Sequence, residues 1–76
     1  MSKLPVLSGR DVLKALTRAG FEIVGRKGSH IRLKKRVGSE VFIVIVPAHA
    51  ELATGTLLSI IKQSGITRED FVKFLK

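Results

Sequence analysis

The residues of this chain with the clearest chemical potential lie in the stretch KGSHIRLK, residues 27–34. Polar and apolar residues alternate along it, which is the period-two pattern of a strand with one solvent-facing side. The apolar members, Ile31 and Leu33, are therefore expected to point into a core. The opposite face is then expected to carry a row of polar side chains, which are His30, Arg32 and Lys34.

An imidazole among cations suits the cleavage of RNA at its 2′-hydroxyl group. A histidine can remove the hydroxyl proton near neutral pH, and cations can stabilise the charge that builds on the phosphate. No metal ion is required for this reaction. We predict that His30 is the general acid/base, although a lone histidine is more often structural. The predicted RNA-binding residues are Lys27, Ser29, Arg32 and Lys34.

A second histidine, His49, could act as the acid that protonates the leaving 5′-oxygen. If the second and third predicted strands pair around Gly38, His30 lies across from about Val46. His49 would then be roughly 10 Å further along the chain, at about 3.3 Å per residue. The alternative is that His49 belongs to a loop after Pro47 and contacts only solvent or backbone.

The chain is strongly basic, with a formal net charge of +8 over 76 residues. Residues 1–40 contain ten Lys/Arg and three Asp/Glu, which gives +7, whereas residues 41–76 contain four and three, which gives +1. A basic surface of this density attracts polyanions, of which nucleic acid is the commonest. The alternative is a solvated basic surface without a partner.

Other features of the composition exclude several classes of protein. The chain has no cysteine and two histidines, so neither disulfides nor a structural zinc site are expected. The longest apolar run, residues 41–46, is far shorter than the roughly 20 residues that span a bilayer. No export segment is visible at residues 1–5. We expect a cytoplasmic protein without metal, cofactor or membrane contact.

The remaining sequence predicts a single α+β domain over residues 1–76. Its order is a helix, three antiparallel strands, a helix and a short extra C-terminal helix, with the helices on one face of the sheet. Leu16, Ile31 and Leu58 are expected at the centre of the core. The predicted elements are a helix over 9–19, strands over 21–26, 29–34 and 41–46, a helix capped by Thr54 and ended by Gly65, and a final helix begun by Thr67.

The third predicted strand is apolar on both faces. Helices can cover only one face of a small three-stranded sheet, so one of its two apolar sets must share the face of His30. Either a loop or the tail covers that set, or a protein partner docks on it. The two sets are Phe42, Val44 and Val46, or Val41, Ile43 and Ile45.

Taken together, these residues resemble the HicA family of small mRNA-interferase toxins. The matching motifs recur in order from residue 8 to about residue 71, and GSH followed by alternating apolar and basic residues is the most specific of them. The motifs are SGRD (8–11), AGF (19–21), KGSHIRL (27–33), VPAH (46–49), GTL (55–57) and IIKQSGI (60–66).

The resemblance implies an α-β-β-β-α fold like that of the double-stranded-RNA-binding domain, with one catalytic histidine at His30. It also implies ribosome-independent cleavage of mRNA, growth arrest, and inhibition by a HicB-type antitoxin that covers the histidine. A non-catalytic module that binds double-stranded RNA by shape is the main alternative. A DNA-binding helix pair is a weaker one, because no basic recognition helix is visible.

Overall fold

The computed structural model of this protein describes residues 4–76, so residues 1–3 of the predicted domain lie outside the described residues. Its elements are α1 (Gly9–Arg18), β1 (Glu22–Lys27), β2 (His30–Val37), β3 (Glu40–Pro47), α2 (Thr54–Ser64) and α3 (Arg68–Phe74). The strands form one antiparallel sheet in the order β1-β2-β3. The predicted α+β class and element order are confirmed. No helix within residues 4–76 has the length and apolarity needed to cross a membrane.

Helix α1 begins and ends at signals that are visible in the sequence. At its start, the Asp11 backbone N–H donates to Ser8 Oγ, and the Asp11 carboxylate accepts from the Ser8 N–H, both at 3.1 Å. At its end, Gly20 has a φ of 105°, a conformation that glycine adopts most readily. The Phe21 N–H then donates to the Leu16 carbonyl at 2.9 Å, and the Phe21 ring is buried.

The capping interaction makes the stability of α1 depend on pH. Hydrogen bonds from the backbone and side chain of Ser8 hold the pKa of Asp11 below its ordinary value of 3.8. A lowered pKa stabilises the fold above pH 3.8, and this stabilisation is lost as the pH falls through the pKa in the folded state. We expect Asp11→Asn to unfold at lower urea concentration than wild type at pH 7, and the difference to shrink on acidification. A difference independent of pH would contradict this assignment.

The sheet separates a buried face from an exposed one, as the alternation in β2 predicts. Ile31 and Leu33 of β2 are buried together with Val44 and Val46 of β3. The side chains of His30, Arg32 and Lys34 are exposed on the other face. The pairing of β2 with β3 places His30 opposite Pro47 rather than Val46, because the hairpin is centred between Gly38 and Ser39 and not on Gly38. Pro47 is the last residue of β3.

Helix α2 differs from the prediction at two residues. Thr54 is already the first helical residue, and the N-cap is Ala53, which has no polar side-chain atom to cap with. Leu58 is 37% exposed, so it does not lie at the centre of the core, whereas Leu16 and Ile31 are buried as predicted. Residues at spacings of three, four and seven share one helix face, and Leu58 lies outside that set. The buried set is Leu57, Ile60, Ile61 and Ser64.

The C-terminal helix closes the core from the side of α1. Helix α3 begins at the predicted cap, where the Asp70 N–H donates to Thr67 Oγ1 at 3.1 Å. Its Phe71 ring is fully buried. Arg18 fixes the end of this helix by donating from Nη1 to the Phe74 carbonyl at 3.0 Å. The helices therefore cover one face of the sheet and leave the face of His30 open.

Candidate functional site

The hairpin between β1 and β2 presents His30 at the open face of the sheet. Gly28 has a φ of 59°, which lets the chain reverse within two residues. His30 is the first residue of β2, and its side chain is exposed. Its cross-strand neighbours are Lys27 on β1 and Pro47 on β3. The imidazole is therefore held on paired strands, close to a cationic side chain.

His30 lies in a hollow of about 560 Å³ on this open face. Three of the predicted site residues, His30, Lys27 and Arg32, line it together. Below, "the hollow" means the space bounded by its full lining, which is Gly25, Arg26, Lys27, His30, Arg32 and Ile45.

The hollow exists because a glycine occupies the middle of β1. The strand register shifts between Ile23 and Gly25, so Gly25 pairs with Arg32 on β2, and Arg32 pairs with Ile45 on β3. Directly paired residues share one face of a sheet. A Cβ built on Gly25 would meet no atom within 4 Å. A methyl group at position 25 would therefore occupy space in the hollow without contacting the protein.

The cations of β1 and β2 differ in what they bind. Arg26 Nε donates to the Gly28 carbonyl at 3.2 Å and so supports the hairpin turn. Lys35 is used structurally, because its Nζ donates to the Ala19 carbonyl at 2.6 Å, at the end of α1. Within residues 4–76, Lys27 and Arg32 form no side-chain hydrogen bond or ion pair. These two side chains therefore have their charges available for an anion.

Three other predicted site residues do not line the hollow. The carbonyl of Ser29 accepts from the Ala48 N–H at 2.6 Å, which joins the hairpin to the segment after β3. Lys34 lies further along β2, opposite Ile43. His49 has an exposed side chain, and its carbonyl accepts from the Gly9 N–H at 2.9 Å. The backbone near His49 is thus fixed beside the hairpin that carries His30.

Gly9, which the sequence pattern predicts only as the start of a helix, also packs closely against the segment after β3. A Cβ at this position would overlap the carbonyl oxygen of Pro47 and would lie 3.1 Å from the Cα of Ala48. Pro47 is the cross-strand neighbour of His30. The absence of a side chain on Gly9 therefore lets the first turn of α1 pack against the segment that faces His30.

The open face also carries apolar side chains of β3. This shows which of the two apolar sets of β3 shares the face of His30. These residues are about half exposed, and no part of residues 4–76 buries them. They lie opposite basic residues of β2, since Ile45 pairs with Arg32 and Ile43 with Lys34. The apolar row, as we call it below, consists of Val41, Ile43 and Ile45.

Sequence reasoning missed three residues of the hollow: Gly25, Arg26 and Ile45. An isolated glycine within a strand pattern signals a bulge or a close approach, and this signal could have identified Gly25. Ile45 could not be assigned because both faces of its strand are apolar. Arg26 belongs to the basic run, but it pairs with the buried Ile31, so strand alternation places it on the face opposite to His30.

The arrangement combines a group that can transfer a proton with cations that can stabilise a phosphate. The imidazole is that of His30 and the cations are Lys27 and Arg32, which line the same hollow. Among residues 4–76, no three His, Cys, Asp or Glu residues are grouped closely enough to hold a metal ion. Side chains of these types are the ones that acid–base catalysis on a bound polyanion uses.

Comparison with known protein families gives a match over most of the chain. A family model described as "HicA toxin of bacterial toxin-antitoxin" matches residues 9–66, which is more than half of the chain. The matched range contains α1, the whole sheet and α2, and it includes every residue that lines the hollow. No curated protein matches the chain.

Proposed function

The chain belongs to the HicA family of toxins of bacterial toxin–antitoxin systems, and we propose that it acts as an endoribonuclease that cleaves mRNA, with His30 as its general acid/base. The observation that carries this proposal is the exposed imidazole of His30 in one hollow with Lys27 and Arg32. Since mRNA is the proposed substrate, the proposed place of action is the cytoplasm.

The proposed reaction is an attack of the RNA on itself. His30 takes the proton of a 2′-hydroxyl group, the 2′-oxygen bonds to the adjacent phosphorus, and the bond from phosphorus to the 5′-oxygen breaks. The products are a 2′,3′-cyclic phosphate and a 5′-hydroxyl. Lys27 and Arg32 stabilise the negative charge on the phosphoryl oxygens in the transition state. Ser29 and Lys34 are proposed to bind the RNA backbone on either side of this point.

The leaving 5′-oxygen must gain a proton, and two sources are available. After the first step His30 is protonated and can return that proton. His49 could supply it instead, since the adjacent backbone is bound both to the hairpin of His30 and to Gly9. The proposal requires only one of these sources, and substitution of His49 distinguishes them.

The experiment that tests this function follows an end-labelled mRNA fragment with purified protein and an excess of EDTA. We expect cleavage to continue in EDTA, because proton transfer and charge stabilisation come from protein side chains. A 2′-deoxy substitution at a cleaved nucleotide is expected to remove that cut alone, because the attacking oxygen is missing. RNA that is bound but stays intact between about pH 5 and pH 9 would instead support a non-catalytic double-stranded-RNA-binding module.

The toxin–antitoxin family implies an antitoxin partner, and we propose that this partner is of the HicB type and covers the open face. The apolar row lies exposed beside Arg32, Lys34 and Arg36. Exposed apolar patches of this kind mark protein interfaces. A partner that covers the row with apolar residues and meets the cations with acidic ones would also block access to His30.

We expect Ile43→Glu to weaken binding of the antitoxin by about tenfold or more, because it places a charge in the centre of the apolar row. Isothermal titration calorimetry with the purified antitoxin measures this change. Val37→Glu is a matched control, since Val37 is exposed to a similar extent. Val37 is the last residue of β2, and the alternation along the strand places it on the face opposite to His30. Equal loss in both variants would place the interface elsewhere.

A further inference from the structure

We propose that the hollow is a subsite for one unpaired nucleotide of the RNA, and that Gly25 is the residue that keeps this subsite open. The inference rests on the proposed function for the identity of the ligand. It adds two points to that function. The substrate is RNA that is single-stranded at the cut, and Gly25 determines the preference for single-stranded over paired RNA.

The size of the hollow fits a nucleotide and excludes a duplex. Its volume of about 560 Å³ lies within the range of roughly 300–1,000 Å³ found for sites that hold small molecules. One unstacked base with its sugar can enter such a space. A double helix is too wide to do so and could only lie across the opening.

The lining of the hollow offers a distinct partner to each part of a nucleotide. Gly25, which has no side chain, and the aliphatic side chain of Ile45 leave a surface against which the flat face of a base can lie. Lys27 and Arg32 provide positive charge for the phosphates. Sequence-tolerant recognition of single strands combines a cationic groove with a stacking surface, which is usually aromatic. In this hollow the aliphatic side chain of Ile45 and the plane of the Arg32 guanidinium would take the place of the aromatic ring.

The chemistry proposed for His30 also requires an unpaired nucleotide. The 2′-oxygen must approach phosphorus from the side opposite the leaving 5′-oxygen. In an A-form helix the stacked, paired backbone holds the 2′-hydroxyl away from that line. Drawing one base out of the stack and into the hollow frees the backbone to rotate, so the subsite would hold the phosphate in a reactive conformation beside His30.

The backbone conformation of Gly25 and the space around it favour replacement by a larger residue, which makes the inference testable. It is not among the glycines with positive φ, so a strand residue can adopt its backbone conformation. A Cβ there meets open space. Valine suits strands well. Gly25→Val should therefore keep the fold while it fills the hollow.

The test measures binding with cleavage disabled, in a His30→Gln background. Two fluorescent RNA hairpins share one closing tetraloop and carry the same segment in the stem, unpaired as an internal loop in one and fully paired in the other. We expect the unpaired segment to bind about tenfold tighter than the paired one. Adding Gly25→Val is expected to remove about tenfold or more of the affinity for the unpaired segment and to leave the paired one nearly unchanged.

Two further variants calibrate the result. Gly25→Ala is expected to give an intermediate loss, because a methyl group fills less of the hollow. Gly55→Ala is the matched control, since a Cβ on Gly55 also meets open space but lies on α2, away from the hollow. Gly55→Ala should bind both hairpins as its parent does, and thermal melts should show that all variants are folded.

The outcomes separate this inference from the proposed function. Equal affinity for both hairpins, or unchanged binding by folded Gly25→Val, would overturn the subsite even if the wild-type protein cleaves RNA. If the binding preference and its loss in Gly25→Val are observed but no wild-type cleavage occurs, the subsite is supported and the nuclease proposal fails. With cleavage active, wild type should cut the unpaired segment and spare the paired one.

Discussion

Replacing His30 with glutamine is expected to lower the rate of RNA cleavage by about 10²–10⁴-fold, the usual contribution of a positioned general base. Glutamine keeps a polar group of similar reach but cannot accept the 2′-hydroxyl proton. RNA affinity is expected to change little, because the proposed phosphate contacts of Lys27 and Arg32 are expected to supply most of it. Single-turnover cleavage gives the rate, and fluorescence anisotropy with a 2′-deoxy substrate analogue gives the affinity.

His49→Gln is the matched comparison, since His49 is also an exposed histidine and the substitution is the same. We expect a smaller loss of rate than in His30→Gln, because the side chain of His49 does not line the hollow. An equal loss would identify His49 as the acid that protonates the leaving oxygen. If His30→Gln retained wild-type cleavage, or lost cleavage only in proportion to RNA affinity, the general acid/base role of His30 would be wrong.

The exposed face of β2 could be predicted from the sequence because the information is local. Alternation of side chains across a strand fixes which residues share a face, whatever the rest of the fold does. Ile31 and Leu33 therefore had to be buried if His30 and Arg32 were exposed, and the structure confirms this. The capping box of Ser8 and Asp11 is local in the same sense.

The hollow could not be predicted because it depends on register between strands. The shift between Ile23 and Gly25 decides that Gly25 faces Arg32, and a register shift changes the face of every residue beyond it. For the same reason the sequence could not tell which side of β3 is exposed. The contact of Gly9 with Pro47 joins elements far apart in the chain, so no local pattern signals it.

The contrast between Leu16 and Leu58 leads to the largest effect on stability that we predict. Leu16→Ala is expected to lower the free energy of unfolding by about 2–5 kcal/mol. Leu16 is fully buried in α1, within the core that contains Phe71 and Leu33, and truncation would leave a cavity there. A domain of this size has a total stability of about 5–15 kcal/mol, so the variant would be partly unfolded on mild heating. Urea unfolding followed by circular dichroism measures the change.

Leu58→Ala makes the same chemical change on the surface of α2 and isolates the effect of burial. Leu58 keeps 37% of its surface exposed, so its truncation removes fewer contacts, and alanine also favours the helix. We expect a loss of about 1 kcal/mol or less. Similar losses of unfolding free energy in the two variants would mean that Leu16 and Leu58 do not differ in burial as the structure shows. A larger loss in Leu58→Ala would restore the sequence-based prediction that Leu58 lies at the centre of the core.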